Sequence, residues 1–72
     1  MVWKETARND LGWKMIQLGD GYPKAIVSVR PDQIAYDIWV DSDASLGKVD
    51  CETEPEARCK AENALFNYLE VM

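Results

Sequence analysis

The sequence has no histidine, only two cysteines and no long apolar run, and each shortage argues against a class of protein. Without histidine, the commonest general base and metal ligand is missing, so catalysis would depend on carboxylates alone. Two cysteines, Cys51 and Cys59, are too few for a disulfide framework, and we expect them to be reduced and packed. No segment approaches the about 20 apolar residues of a membrane span. We therefore expect a cytoplasmic protein that binds no membrane, metal or cofactor.

Length and composition predict one folded unit. The chain has 72 residues, of which 47% are hydrophobic and 29% charged, and such a composition is typical of globular proteins. A domain of this size buries only about 60% of its unfolded surface. We expect residues 1–72 to form a single compact domain with little room for a catalytic cleft, so the prediction is a protein that is not an enzyme.

The clearest local pattern is an amphipathic helix over residues 53–72. Thr53 is predicted to cap it, Pro55 suits its first turn, and Glu56 stands three residues after the cap to complete a capping box. The apolar stripe predicted to face the rest of the protein consists of Ala57, Ala61, Ala64, Leu65, Tyr68, Leu69 and Met72. A helix of this kind needs a partner surface, which the middle of the chain is expected to supply.

Three segments in the middle of the chain have the pattern of β-strands: residues 13–18, 22–29 and 34–40. In the third segment, large apolar residues alternate with Ala35, Asp37 and Trp39, which is typical of an antiparallel strand with one face in water. Residues 46–51 are either a fourth strand or an extended lead into the helix.

The first dozen residues have two interpretations. Trp3, Ala7 and Leu11 have helical spacing and Gly12 suits a helix C-cap, whereas an edge strand over residues 2–7 is the alternative. We favour the short helix. The predicted fold is then α+β, an antiparallel meander of three or four strands covered by a C-terminal helix, in the order α-β-β-β-α.

The acidity of the protein is concentrated in one segment. Residues 37–56 contain seven acidic side chains against Lys48 alone, although the net charge of the whole chain is only −5. Two acids in the first turn of the helix are explained by the helix dipole. The remaining acids and two residues on the outer side of the helix are the candidate protein-binding residues: Asp37, Asp41, Asp43, Asp50, Glu52, Cys59 and Phe66. The alternative is that the acids form only a solvated face.

Two other functions are disfavoured. Asp41, Asp43, Ser45 and Glu52 have the spacing of calcium ligands in an EF-hand loop, but Leu46 occupies the position that requires glycine, so no metal site is predicted. Direct nucleic-acid binding is not expected either, because the start of the last helix carries glutamates that would repel phosphates.

One segment resembles a known group. Residues 53–61, with the sequence TEPEARCKA, resemble the closing motif T-x-P-x-A-x-C-[RK]-A of small phage and prophage accessory proteins of the phage ABA-sandwich type. Gly12-Trp13 is similar to the G-W that ends the first helix in that group. The resemblance implies a phage-derived gene acting in a host cytoplasm.

The sequence therefore predicts a non-enzymatic, acidic protein-binding domain whose partner is a host protein with a basic surface. A more specific hypothesis is inhibition of a host defence or nucleic-acid enzyme, because carboxylates can occupy the positions of phosphates. The alternative is a homodimer or structural adaptor that uses the outer helix face around Cys59 and Phe66.

Overall fold

The chain forms an antiparallel sheet with one helix packed on it. The computed structural model describes residues 3–70. Within them the elements are β1 (Trp3–Arg8), β2 (Lys14–Leu18), β3 (Lys24–Val29), β4 (Ile34–Asp41), β5 (Ala44–Ser45), β6 (Val49–Cys51) and α1 (Glu54–Glu70). The strands follow one another as a meander in the order β1-β2-β3-β4-β5, and β6 also pairs with β4. The predicted α+β class is confirmed.

The N-terminal segment is an edge strand, so the preference for a helix there was wrong. β1 pairs antiparallel with β2, with Trp3 opposite Leu18. Leu11 is 77% exposed and therefore cannot belong to a buried helical stripe. Gly12 has a φ of 89° and forms part of the β1–β2 turn instead of capping a helix. Pairing with β2 gives the backbone of this segment hydrogen-bond partners. A short isolated helix would be only marginally stable here, because helix nucleation is costly.

The strands predicted in the middle of the chain are confirmed within about two residues at each end, the usual uncertainty of such boundaries. The segment 46–51 contains a strand only at its end, where Val49–Cys51 pairs with β4. Gly47, with a φ of 108°, lies in the turn between β5 and β6. Both short strands lie along β4, so the acidic segment runs beside this strand.

Helix α1 begins with the predicted cap at Thr53, but the return bond from Glu56 reaches the residue before the cap. The Thr53 hydroxyl accepts a hydrogen bond from the Glu56 N–H at 3.2 Å, and the Glu56 carboxylate accepts one from the Glu52 N–H at 2.9 Å. Ala57, Ala61 and Leu65 are fully buried. The helix contacts β3, β4 and β6. Small side chains in its first half allow the close approach to the sheet.

The predicted apolar stripe of α1 is only partly confirmed. Leu69 is 39% exposed, so it does not contribute to the core. Met72 lies outside the described residues. Ala64 and Tyr68 are half-buried, and Leu65 is the last fully buried residue of the stripe within residues 3–70.

The sheet has one covered face and one open face. The covered face supplies the core under α1: Ile16, Leu18, Ala25, Val27 and Ile38. Residues that alternate with these point to the other side, which α1 does not contact. We call this side the open face; it carries Met15, Gln17, Ile26, Ser28, Ala35, Asp37 and Trp39.

Candidate protein-binding site on the open face

A groove of about 180 Å³ crosses the open face. Its lining is mixed apolar and polar: Met15, Ile26, Ser28, Ala35, Tyr36, Asp37, Trp39 and Lys48. Cross-strand pairing explains its shape, because Met15, Ser28 and Ala35 are neighbours in one row of the sheet. Small side chains at two of these positions leave a depression between larger neighbours. We call this depression the open-face groove.

Asp37 lies in the wall of the open-face groove. It stands directly opposite Ile26 on the neighbouring strand. One of its carboxylate oxygens, Oδ1, is buried and has no hydrogen-bond partner within residues 3–70. Lys48 also lines the groove, but no ion pair in the described part of the chain joins it to Asp37. An aspartate in the middle of a strand is unfavourable, and a buried oxygen without a partner costs further stability.

The other predicted acids lie around this face or beyond its edge. Asp50 is opposite Ala35 in the sheet, and its carboxylate accepts a hydrogen bond from Gln33 Nε2 at 2.8 Å. Asp41 ends β4, where it accepts a hydrogen bond from the Ser42 hydroxyl at 3.1 Å. Asp43 and Glu52 are exposed, the first in the β4–β5 turn and the second between β6 and α1. We call Asp37, Asp41, Asp43, Asp50 and Glu52 the acidic surface.

Cys59 and Phe66 do not join the acidic surface. Both are exposed on the side of α1 that faces away from the sheet, with Phe66 42% exposed. The sheet and the helix therefore separate them from the open face. The candidate residues form two distinct surfaces, and a single partner contacting both would have to reach around the molecule.

The acids at the start of α1 have partners, unlike those of the acidic surface. Glu54 is 2.8 Å from Lys14 Nζ and 2.7 Å from Arg58 Nη2. Glu56 is 2.9 Å from Lys60 Nζ. The hydrogen bond from Lys14 lowers the pKa of Glu54, and the hydrogen bond from Lys60 lowers the pKa of Glu56. No ion pair within residues 3–70 uses a member of the acidic surface.

Two further cavities differ from the open-face groove. The larger, about 290 Å³, lies near the start of α1 and is lined in part by Arg8, Lys14 and Glu54. Its charges are satisfied internally, since Arg8 Nε is 2.6 Å from Glu5 Oε1 and Lys14 pairs with Glu54. The other, about 190 Å³, lies at the β3–β4 turn. All three are at or below the lower end of small-molecule sites, about 300 Å³.

The residues considered for calcium do not form a loop around a cation. Asp41 pairs with Ala44 across a tight turn, and Glu52 lies beyond β6. No group of three potential metal ligands occurs within residues 3–70. In the same part of the chain, no helix is long and apolar enough to cross a bilayer.

The two cysteines are free. Cys51 is half-buried beside the core, and burial raises the pKa of its thiol. Cys59 is exposed, which contradicts the expectation that both are packed. The first thiol is a small apolar filler, whereas the second contributes nothing to the core.

Comparisons with protein-family models, with curated proteins and with solved structures returned no match for this chain. The resemblance of residues 53–61 to phage accessory proteins therefore stays a prediction.

Proposed function

We propose that this chain is a non-enzymatic protein-binding domain whose acidic surface contacts a basic surface of another protein. The observation that carries the proposal is the division among the acids. Glu54 and Glu56 are tied to lysine and arginine side chains, whereas the acidic surface has no ion pairs within residues 3–70. These carboxylates remain available to an external cation.

The distribution of charge supports a charge-driven encounter. Lys48 is the only base among residues 37–56, so the field of the acidic surface is barely offset locally. A negative patch meeting a positive one raises the association rate and rejects partners of like charge, and both effects weaken as salt is added. The cavities described within residues 3–70 are small, and the largest of them is lined by internally paired charges, which also favours a binding domain over an enzyme.

A more specific form of the proposal is that the partner is a host defence or nucleic-acid enzyme, met in the host cytoplasm. Carboxylates spaced along Asp37, Asp50 and the end of β4 can occupy a site that normally receives phosphates. The resemblance of residues 53–61 to phage accessory proteins supports this form. This resemblance bears on the origin of the gene more than on which host enzyme is the partner.

The proposal is tested by capturing partners with the purified protein and by measuring how binding depends on salt. We expect binding to weaken strongly between about 0.1 M and about 1 M salt, because screening shortens the range of charge interactions. The variant Asp41→Asn, Asp43→Asn, Asp50→Asn should lose binding. A control variant, Asp10→Asn, Asp32→Asn, Glu62→Gln, changes the net charge equally at other positions and should retain it. Equal loss in both variants, or binding that is insensitive to salt, would contradict the proposal.

A second candidate function uses the outer helix face. Phe66 is 42% exposed and Leu69, one turn later, is 39% exposed, so the two form a small apolar patch that a second copy or an adaptor partner can cover. Sedimentation of the wild type and of Phe66→Ser separates the two functions. A dimer that dissociates on this substitution would favour the helix face, and a monomer in both cases would favour the acidic surface.

A further inference from the structure

We propose that the open-face groove binds one arginine side chain of the partner, with Asp37 as the carboxylate that pairs with its guanidinium and Trp39 as the ring on which it stacks. This inference rests on the proposed function and names the contact at its centre. It identifies Asp37 as the residue of the acidic surface that determines specificity, whereas the other acids provide a general field.

Asp37 occupies an unfavourable position for an aspartate. The aspartate is half-buried in the middle of β4, opposite Ile26, where a β-branched or aromatic residue would be more stable. Its Oδ1 atom is shielded from water without any hydrogen bond within residues 3–70. Nothing described in the fold compensates for this cost. Residues that break a local structural rule without internal compensation are commonly found at functional sites.

The groove has the size and chemistry to hold one long side chain. About 180 Å³ is too small for a typical small-molecule ligand but suits a single long side chain. Met15 and Ile26 offer apolar contact to an aliphatic stem, and the Trp39 ring flanks the carboxylate two residues away on the same face. Ala35, 1% exposed, forms the floor. An apolar groove with one carboxylate is complementary to a long cationic side chain.

Arginine fits these features better than lysine. Its guanidinium is planar, stacks on aromatic rings and donates charge-assisted hydrogen bonds to carboxylates. It is also less strongly hydrated than an ammonium group, so it enters a half-buried groove at lower cost. The chain itself contains both kinds of contact elsewhere: the Arg30 guanidinium lies 4.1 Å from the centre of the Trp13 ring, and Arg8 contacts Glu5 through two nitrogens.

A second copy of this chain is a poorer occupant. Each copy carries a net charge of −5, so two copies repel one another. The open face also carries the carboxylates of Asp37 and Asp50, which would have to be desolvated on both copies. A partner with a basic surface meets neither difficulty.

The test is a titration of the isotopically labelled protein with capped pentapeptides of sequence Gly-Leu-Arg-Leu-Gly, followed by the shifts of backbone amides and of the Trp39 indole N–H. Two companion peptides replace arginine by lysine or by uncharged citrulline. We expect saturable shifts at the groove residues with the arginine peptide, weaker shifts with lysine and none with citrulline. Asp37→Asn should weaken binding about tenfold, because a hydrogen bond to a charged group is lost. Asp43→Asn, which removes an acid outside the groove, should not.

A second measurement separates binding from a structural role. If Asp37 serves only the fold, Asp37→Asn should lower the melting temperature; we expect it to remain unchanged or rise. A contrary result is that the arginine and lysine peptides cause shifts of similar size, spread over the acidic surface and unaffected by Asp37→Asn. That result would overturn the groove as an arginine site and leave the proposed function standing. The arginine-binding proposal would likewise be overturned if no peptide caused shifts. It would also be overturned if the signals of the groove residues changed with protein concentration in the absence of peptide, because a second copy would then occupy the groove. The proposed function itself would fail in a different experiment, if the variant Asp41→Asn, Asp43→Asn, Asp50→Asn still captured the partner.

Discussion

The substitution Glu54→Gln should destabilise the protein without weakening its binding. Glu54 joins the start of α1 to the sheet, because one carboxylate oxygen is 2.8 Å from Lys14 Nζ on β2 and the other is 2.7 Å from Arg58 Nη2 one turn later. Its side chain is only 24% exposed. Glutamine keeps the shape of the side chain but removes the charge that both cations share.

The expected loss is about 1–2 kcal/mol at neutral pH. An exposed ion pair contributes at most about 1 kcal/mol, and solvent screening reduces the contribution of each of these two pairs. A carboxylate in the first turn adds about 0.3–1 kcal/mol through the helix dipole. In a domain of this size, about 1 kcal/mol corresponds to about 4–8 °C in melting temperature. We therefore expect Glu54→Gln to melt roughly 5–10 °C below the wild type.

The pH dependence of this difference follows from the lowered pKa of Glu54. The hydrogen bond from Lys14 is the main cause of the shift from the ordinary value of 4.5. Since the folded protein binds this proton more weakly than the unfolded chain, the stabilisation is fully present above the unfolded pKa. It is lost as the pH falls through the folded-state pKa. The two melting curves should therefore converge in acid.

The measurement is thermal unfolding followed by circular dichroism at neutral and at acidic pH. The control is Glu62→Gln, which removes a charge from the same helix. Glu62 forms no ion pair within residues 3–70. Equal melting temperatures for the two variants, or a difference that stays constant on acidification, would refute the structural role of Glu54. A loss of partner binding in Glu54→Gln would refute the division of the acids into two groups.

Two further substitutions test the packing. Leu65→Ala should cost about 2–5 kcal/mol, because Leu65 is fully buried under the sheet, and urea unfolding should show a largely unfolded population. Gly12→Ala and Gly47→Ala both force a side chain into a positive φ, but only the first places a Cβ 3.3 Å from Pro31 Cγ. Gly12→Ala should therefore lower the melting temperature more than Gly47→Ala, and equal effects would show that the Pro31 contact is immaterial.

Much of the fold is predictable because its signals are local. The cap at Thr53 and Glu56 depends on side chains within one turn, and the alternation along β4 depends on neighbours in sequence. The N-terminal segment was mispredicted because its spacing fits either a helix or a strand. Pairing with β2 decides between them, and such pairing depends on residues about ten positions away, which local patterns do not reveal.

The candidate site was predictable only in part, for the same physical reason. The sequence places Asp37 on one face of β4 with Ala35 and Trp39, and this alternation is a signal for the groove. Met15 and Ile26 come from other strands, and only the register of the sheet brings them to the same depression. They were therefore missed. Helical spacing also predicts Phe66 on the outer side of the helix, and α1 presents it there, away from the open face.

The division of the acids also bears on how so small a domain can hold a binding surface. With a core this limited, one buried carboxylate oxygen without a partner costs an appreciable part of a stability of a few kcal/mol. The ion pairs of Glu54 and the cap at Thr53 stabilise the start of α1 and offset part of that cost. A cation bound at the Asp37 carboxylate would stabilise the folded state further. The bound protein should therefore melt at a higher temperature than the free one, and this increase should vanish in Asp37→Asn.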